Sequence, residues 1–315
     1  MKAAVLDQFG SVDVMQVRDV PKPTIGPDQI LVEVYATNIN PIEWKMREGQ
    51  MVARYGDDFP MILGFDCAGV VAEVGEEVTD FKAGDEIMAR SDVGTGRCYA
   101  EYAELNPRTV VFKPKDLSFG EAASIPLVGL TVINGLQKCA GLKPGQRILI
   151  VGASGGVGTL AVQIAKNMGA HVTGVCSGRN TDLVASLGAD AVIDYTQENP
   201  LDTEESYDIV YDTVGVYQYD EAKQLLTSDG IYLTLVPVPG IDFFIPGQTE
   251  RELGKGYFVA WTPTAADLQI LVDWIDAGKL RPVIDSEFTL DEIREAHERS
   301  QTERSVGKII INVRD

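Results

Sequence analysis

Residues 1–117 carry a strand pattern. Valine-containing runs such as Ile30–Tyr35, Ala68–Val74 and Thr109–Phe112 are broken by Gly and Pro, and turn formers separate them, as in Val78-Thr79-Asp80-Phe81-Lys82-Ala83-Gly84-Asp85. Helical spacing is scarce here, which predicts a mostly β domain with a barrel-like or rolled sheet. From Ser118 the texture changes. Ala and Leu fall at helical spacing through Glu121–Leu136, and then strands and helices alternate. The predicted elements are strand Arg147–Val151, helix Val157–Met168, strand His171–Cys176, helix Thr181–Leu187 and strand Ala191–Asp194, followed by strand Tyr207–Asp212, helix Tyr217–Leu226 and strand Ile231–Val236. Such alternation predicts an α/β fold with a doubly wound parallel sheet over 118–262. Beyond it, Leu268, Leu271, Val272 and Ile275 recur at i, i+3, i+4, i+7 in a helix Thr264–Ala277, and a helix Leu290–Ser300 leads into strand Lys308–Val313. About 50 residues with one apparent strand do not easily close a core, so 263–315 is expected to complete the 1–117 domain.

Charge and composition narrow the class. Of 315 residues, 27 are Lys or Arg and 47 are Asp or Glu, a formal net charge of −20 that repels phosphate backbones and anionic membranes. Nucleic acid is therefore not an expected partner. At 45% hydrophobic and 23% charged, the chain has an ordinary globular composition. An acid, Asp7, interrupts the N-terminus before an apolar run forms, and the most apolar stretch, Ile148–Ala165, holds four glycines, so neither a secretory signal nor a membrane span is expected. The four cysteines, Cys67, Cys98, Cys139 and Cys176, form no C-x-x-C pair, which favours reduced thiols in a cytoplasmic protein. Inert core thiols are the expectation, and Cys98, which follows a glycine loop beside Arg97, is the one candidate for reactivity.

The apolar strand Arg147–Val151 runs into Gly152-Ala153-Ser154-Gly155-Gly156-Val157-Gly158 and then a helix. Read as Ala153-x-Gly155-x-x-Gly158, this is a dinucleotide fingerprint with alanine in place of the first glycine. Small residues allow the tight turn, Gly155 lets backbone approach a pyrophosphate, Gly158 lets helix pack on strand, and the helix N-terminus offers N–H groups from Gly156 and Val157. The sheet is thus predicted to be of the Rossmann type. NAD-specific sites place an acid at the end of the second strand, about 20 residues on. Here that segment reads Val175-Cys176-Ser177-Gly178-Arg179-Asn180. Ser177 and Arg179 suit a 2′-phosphate, so NADPH is the expected cofactor.

Nearly the whole chain resembles a medium-chain dehydrogenase/reductase, in the zinc-independent quinone oxidoreductase branch that includes zeta-crystallin. The resemblance rests on Gly26–Val34, on Asn40-Pro41-Ile42-Glu43-Trp44-Lys45-Met46-Arg47-Glu48-Gly49, on Gly64–Gly75, on Gly84-Asp85-Glu86-Ile87, on Ala122–Thr131 and on the glycine turn followed by Leu187-Gly188-Ala189-Asp190. It implies a GroES-like fold for the first domain. It also implies that Asn40 lies near the nicotinamide ribose and substrate, that Thr131 faces the nicotinamide, that Tyr195 lies near the 2′-phosphate, and that Leu235-Val236-Pro237 offers backbone to the carboxamide. The motif departs from the family at Glu43 and Lys45, where Asp and Tyr are common. Tyr55, in the loop that follows, is a second candidate donor to a substrate oxygen.

Zinc-dependent members read Gly-His-Glu where this chain has Gly64-Phe65-Asp66. Their first ligand segment is Asn38-Ile39-Asn40-Pro41 here, and the segment Ala122–Leu130 just before Thr131 contains no cysteine. Zinc needs three or four spaced N, S or O ligands, and the only histidines, His171 and His297, lie far from these segments, so no metal is expected. Without a Lewis acid a conjugated acceptor is the better substrate, because hydride adds to a carbon remote from the oxygen. The implied activity is NADPH-dependent reduction of quinones or α,β-unsaturated carbonyls in a cleft between the domains. A zinc-free enoyl-thioester reductase and a non-catalytic NADPH-binding sensor or structural protein are the alternatives. A homodimer is expected by analogy, built on an edge strand at Ile231–Val236 and the apolar loop Pro237–Pro246, which otherwise caps the cofactor cleft.

Overall fold

The computed structural model describes residues 1–92, 94, 96–236, 242–244, 256–259 and 264–314, with 242–244 and 256–259 as backbone only. The chain forms two compact units, one of 1–127 with 263–277 and 282–315, the other of 128–262 with 278–281.

In the first unit the main sheet runs, in spatial order, Ile284–Thr289, Lys308–Asn312, Ile30–Ile39, Asp66–Val74, Glu86–Arg90, Val110–Phe112, and Tyr102–Leu105 also pairs with Ile30–Ile39. A smaller sheet joins Met15–Asp19, Lys2–Leu6 and Met61–Ile62. Strand alternation puts Ile30, Val32 and Val34 on one face, where they pack with Val71, Ile87, Ala89 and Ala103 as the core of the roll. The tail contributes two strands where the sequence suggested one. Ile284–Thr289 was hidden because its residues are half-buried or exposed, yet it pairs in parallel with Lys308–Asn312. Lys308–Asn312 lies antiparallel to Ile30–Ile39 with Ile309 opposite Ile39, which brings Lys308 beside Asn40.

Glu121–Leu136, expected as one helix, is three pieces. Ser118 and Glu121 form a capping box at Phe119–Ala123, a second helix covers Pro126–Ile133, and a π-helical turn Asn134–Cys139 follows. Pro126 forces the break, since it has no N–H for the preceding turn and opens the next helix without loss.

The second unit is a parallel sheet ordered Ala191–Asp194, His171–Cys176, Arg147–Val151, Tyr207–Asp212, Leu226–Thr234, Gly256–Val259, Asp242–Phe244. The order reverses at Arg147–Val151, the topological switch point at which Rossmann-type sheets bind dinucleotides. The helix expected at Tyr217–Leu226 is only Tyr219–Ala222 with a 3-10 turn Lys223–Leu225. Its neighbouring strand begins at Leu226, because an irregular register lets the polar run Thr227–Gly230 join it. Ile231–Val236 is not an edge. Gly256–Val259 and Asp242–Phe244 pair beyond it, so the proposed dimer edge moves to Asp242–Phe244. Most of the loop Pro237–Pro246 lies outside the described residues.

Candidate active site

The glycine turn follows directly from the buried strand Arg147–Val151. Gly152 takes a positive φ of 77°, and Gly155 is extended, with its N–H on the Gly152 carbonyl at 3.0 Å. The helix Gly156–Asn167 makes its first backbone bond from Thr159 N–H to Gly155 O, and no side chain caps its N-terminus. The first-turn N–H groups of Gly156 and Val157 thus lack helical acceptors. A Cβ on Gly158 would lie 2.1 Å from Gly152 O, whereas one on Gly155 would meet nothing nearer than 3.4 Å and would fill the open space before the helix. That cradle fits a pyrophosphate. Ala153 differs in role from its neighbours: it is buried, gives its N–H to Val175 O at 2.9 Å and packs under Gly158. It shapes the turn and presents no donor.

Strand His171–Cys176 ends at Ser177-Gly178-Arg179-Asn180, a 3-10 turn. Arg179 is exposed and forms no ion pair among the described residues, while Tyr195, just past Ala191–Asp194, is 46% exposed. Both are accessible to a ligand. Asn180 is buried and donates from Nδ2 to Ser154 Oγ at 3.0 Å and Ser177 Oγ at 3.3 Å, tying the two predicted phosphate-binding turns together. Sequence reasoning passed over it. The Asp194 carboxylate touches Gly178 from the other side and accepts from Thr196 N–H and Oγ1, hydrogen bonds that hold it below the usual carboxylate range.

Thr131 is buried on the helix Pro126–Ile133. Val236 has its N–H on the Thr234 hydroxyl at 3.1 Å, and its carbonyl accepts from that hydroxyl at 3.0 Å. Asp212, a residue not singled out in the sequence, organises the adjoining loop. Its carboxylate accepts the N–H groups of Val214, Gly215 and Tyr217 and the Tyr232 hydroxyl, and Val214 thereby lies over Gly152.

In the first unit Asn40 closes the strand Ile30–Ile39 and caps the helix Pro41–Arg47. It is 1% exposed. Its Nδ2 donates to Asp66 Oδ2 at 3.0 Å and Glu43 Oε1 at 3.3 Å, and its Oδ1 accepts from Lys308 Nζ at 2.6 Å. Both Nδ2 protons and one Oδ1 lone pair are thus engaged inside the unit. Asp66 also accepts from Asn38 Nδ2 and Leu127 N–H, and Glu43 from Phe65 N–H and the Tyr99 hydroxyl. Burial pushes the Glu43 carboxyl up to about 7 and also raises Asp66, against these donors. Lys308 is pulled down to about 8 by burial, against the attraction of Asp66 and Glu43. The sequence signal for this cluster was slight: one lysine opening an apolar strand, and one acid inside Gly64-Phe65-Asp66-Cys67-Ala68-Gly69.

Tyr55 ends a short helix, Val52–Tyr55, and borders a crevice too narrow for a water molecule, together with Phe9, Met46, Met51, Val52, Gly56 and Met61. Its hydroxyl has no hydrogen-bond partner among the described residues. Cys98, the candidate thiol, is fully buried, and contact with the Cys67 thiol together with burial holds its thiol well above the ordinary range. Arg97 points elsewhere, pairing with Glu104 at 2.9 Å, so nothing activates this cysteine.

A zinc-ligand test on these residues fails. Phe65 is a buried apolar ring, and both oxygens of Asp66 accept N–H groups. His171 is exposed at the start of its strand, and His297 is buried against Arg47. Among the described residues, no group of three or more His, Cys, Asp or Glu is placed to hold a metal ion.

A parallel sheet with a glycine turn at its switch point, in one chain with a rolled, mostly antiparallel unit, is the arrangement of a two-unit dinucleotide-binding protein. Residues 26–115 match the alcohol dehydrogenase GroES-like domain family and 187–311 the zinc-binding dehydrogenase family. The chain is similar to a tomato (Solanum lycopersicum) 2-methylene-furan-3-one reductase, with 35% identity over 99% of this chain and 79% of that protein. It is similar also to the NADPH-dependent alkenal/one oxidoreductase of Arabidopsis thaliana chloroplasts, with 32% identity, 99% of this chain and 79% of that one. A solved structure, the quinone oxidoreductase of Coxiella burnetii, superposes with a TM-score of 0.86 and 31% identity, covering 100% of this chain and 99% of that one. The chain belongs to the medium-chain dehydrogenase/reductase superfamily, in its quinone-oxidoreductase-like part.

Proposed function

We propose that this chain is an NADPH-dependent oxidoreductase that transfers hydride to quinones or α,β-unsaturated carbonyl compounds without zinc. The observation that carries the reading is the open glycine cradle at the switch point, followed by an acid-free Ser177–Asn180 turn with an unpaired arginine. NADPH, when bound, supplies the hydride from C4 of its nicotinamide. Gly155, Gly156 and Val157 offer backbone and Ser154 its hydroxyl to the pyrophosphate, and Ser177, Arg179 and Tyr195 surround the 2′-phosphate. Thr131 and Val236 flank the nicotinamide in the same reading. Asn40 serves by holding the charged cluster and the start of helix Pro41–Arg47 in place. Tyr55 is the candidate donor to the substrate oxygen, with a hydroxyl that has no hydrogen-bond partner among the described residues.

A conjugated acceptor needs a donor and dry positioning more than a Lewis acid, which agrees with ligand positions that do not fit zinc. Four cysteines outside any disulfide suit the cytoplasm. The net charge of −20 favours a small-molecule partner over nucleic acid, and a homodimer paired through Asp242–Phe244 is the assembly this reading carries. Among the described residues no helix is long and apolar enough to cross a membrane.

Steady-state NADPH oxidation with 1,4-benzoquinone, 9,10-phenanthrenequinone and a simple enone tests the function. Turnover with at least one acceptor is expected, with kcat in Tyr55→Phe reduced about tenfold at unchanged NADPH affinity. Tight NADPH binding without oxidation of any acceptor would leave a binding protein only.

A further inference from the structure

The turn after strand His171–Cys176 is held from two sides. On one, Gly178 lies against Asp194, where a Cβ would come within 2.4 Å of the carboxylate, and Asp194 accepts the Gly178 N–H. On the other, buried Asn180 reaches the glycine turn. Its N–H binds Ser177 O at 2.8 Å, and its Nδ2 donates to both Ser154 Oγ and Ser177 Oγ.

An amide nitrogen can only donate, so each serine oxygen acts as acceptor toward Asn180 and keeps its own proton for another partner. Neither hydroxyl has a further partner among the described residues. The two serines stand on the two turns that a dinucleotide phosphate would meet. With their protons directed away from Asn180, both are donors, the polarity that a phosphate oxygen requires.

We propose that Asn180 is a positioning residue that sets the preference for NADPH over NADH, by orienting the Ser177 and Ser154 hydroxyls as phosphate donors. The proposal rests on the cofactor reading above and extends it. Ser177 acts on the 2′-phosphate, which only NADPH carries, whereas Ser154 acts on groups common to both nucleotides. Asn180 touches neither nucleotide, which distinguishes its role from that of Arg179.

Asn180→Asp inverts the clasp, because a carboxylate accepts from both hydroxyls and turns their protons inward while adding negative charge. Fluorescence titration with NADPH and NADH at fixed ionic strength reads the result in wild type, Asn180→Asp, Asn180→Ala and Ser177→Ala. Asn180→Asp should raise the NADPH Kd about 30-fold or more and the NADH Kd no more than about threefold. Ser177→Ala should raise the NADPH Kd about tenfold and leave NADH within about twofold, and Asn180→Ala, which also releases Ser154, should raise the NADPH Kd about tenfold and the NADH Kd no more than about threefold. Equal weakening of both nucleotides would make Asn180 a purely structural residue and overturn the proposal, as would an Asn180→Asp protein with wild-type NADPH affinity. If Asn180→Asp does not fold, retained NADPH selectivity in both alanine variants overturns it equally. A wild-type protein that binds neither nucleotide would remove the cofactor reading itself and the clasp with it.

Discussion

A Cβ at Gly158 would press on the Gly152 carbonyl at 2.1 Å, while at Gly155 the same oxygen is 3.4 Å away. Two alanine substitutions three residues apart should therefore fail differently. Gly158→Ala meets backbone that cannot rotate aside and is expected to lose about 1–3 kcal/mol of stability. Gly155→Ala has an extended backbone that alanine adopts readily, so its Tm should stay within about 2 °C of wild type while the NADPH Kd rises about tenfold or more. Thermal melts and titrations on both variants check this, and a Gly155→Ala protein with unchanged affinity would contradict the cradle. The glycine turn was legible because its spacing is a local rule of backbone geometry. Lys308, Asp66 and Glu43 were not legible as a cluster, since they lie on two strands and a helix that only the folded unit brings together. The state of Cys98 was not legible for the same reason: a neighbouring arginine in sequence is no guide to the thiol's surroundings once Cys67 packs against it.

Two helices of the first unit, Pro41–Arg47 and Ile293–Gln301, are joined through buried polar side chains. Arg47 donates from Nε to Gly10 O at 3.1 Å and from Nη2 to Glu48 and Gln301, and its Nη1 lies 3.2 Å from His297 Nδ1. An arginine has no acceptor, so Nδ1 must accept and the imidazole is neutral. Burial, reinforced by Arg47, pushes His297 down to about 3. The unfolded chain then takes up this proton first, and stability is lost as pH falls from about 6.5 toward 3. Between pH 7 and 5 the loss from this one group should be about 2 kcal/mol. Denaturant midpoints of wild type and His297→Gln should therefore converge or cross on acidification, and parallel pH curves would contradict the neutral, buried imidazole. The second helix was expected over Leu290–Ser300, and its first three residues form a 3-10 turn ahead of the α-helix Ile293–Gln301. Its partner residue was not legible, because Arg47 sits in a motif that reads as an exposed helix end. Likewise Leu226–Thr234 was read too short, since Thr227–Gly230 has turn composition and joins the strand only through its pairing with Tyr207–Asp212.

The whole chain carries a net charge of −20, and NADPH is itself a polyanion. Long-range repulsion should slow their encounter at low ionic strength, so the association rate constant is expected to rise a few-fold between about 20 and 200 mM salt. Stopped-flow fluorescence reads this directly, and a rate that falls with salt would point to local attraction outweighing the global field. At this scale the division into a rolled β unit and a parallel sheet was legible from the change of period near Ser118. The order of the outer strands was not, because Asp242–Phe244 and Gly256–Val259 are too short to announce themselves. Hydride transfer from the nicotinamide is the central claim, and a single turnover with NADPH deuterated at C4 and an enone tests it most directly. The account predicts deuterium at the β-carbon of the saturated product with one equivalent of NADPH oxidised. An unlabelled product under both C4 stereoisomers, or no oxidation of bound NADPH, would contradict it.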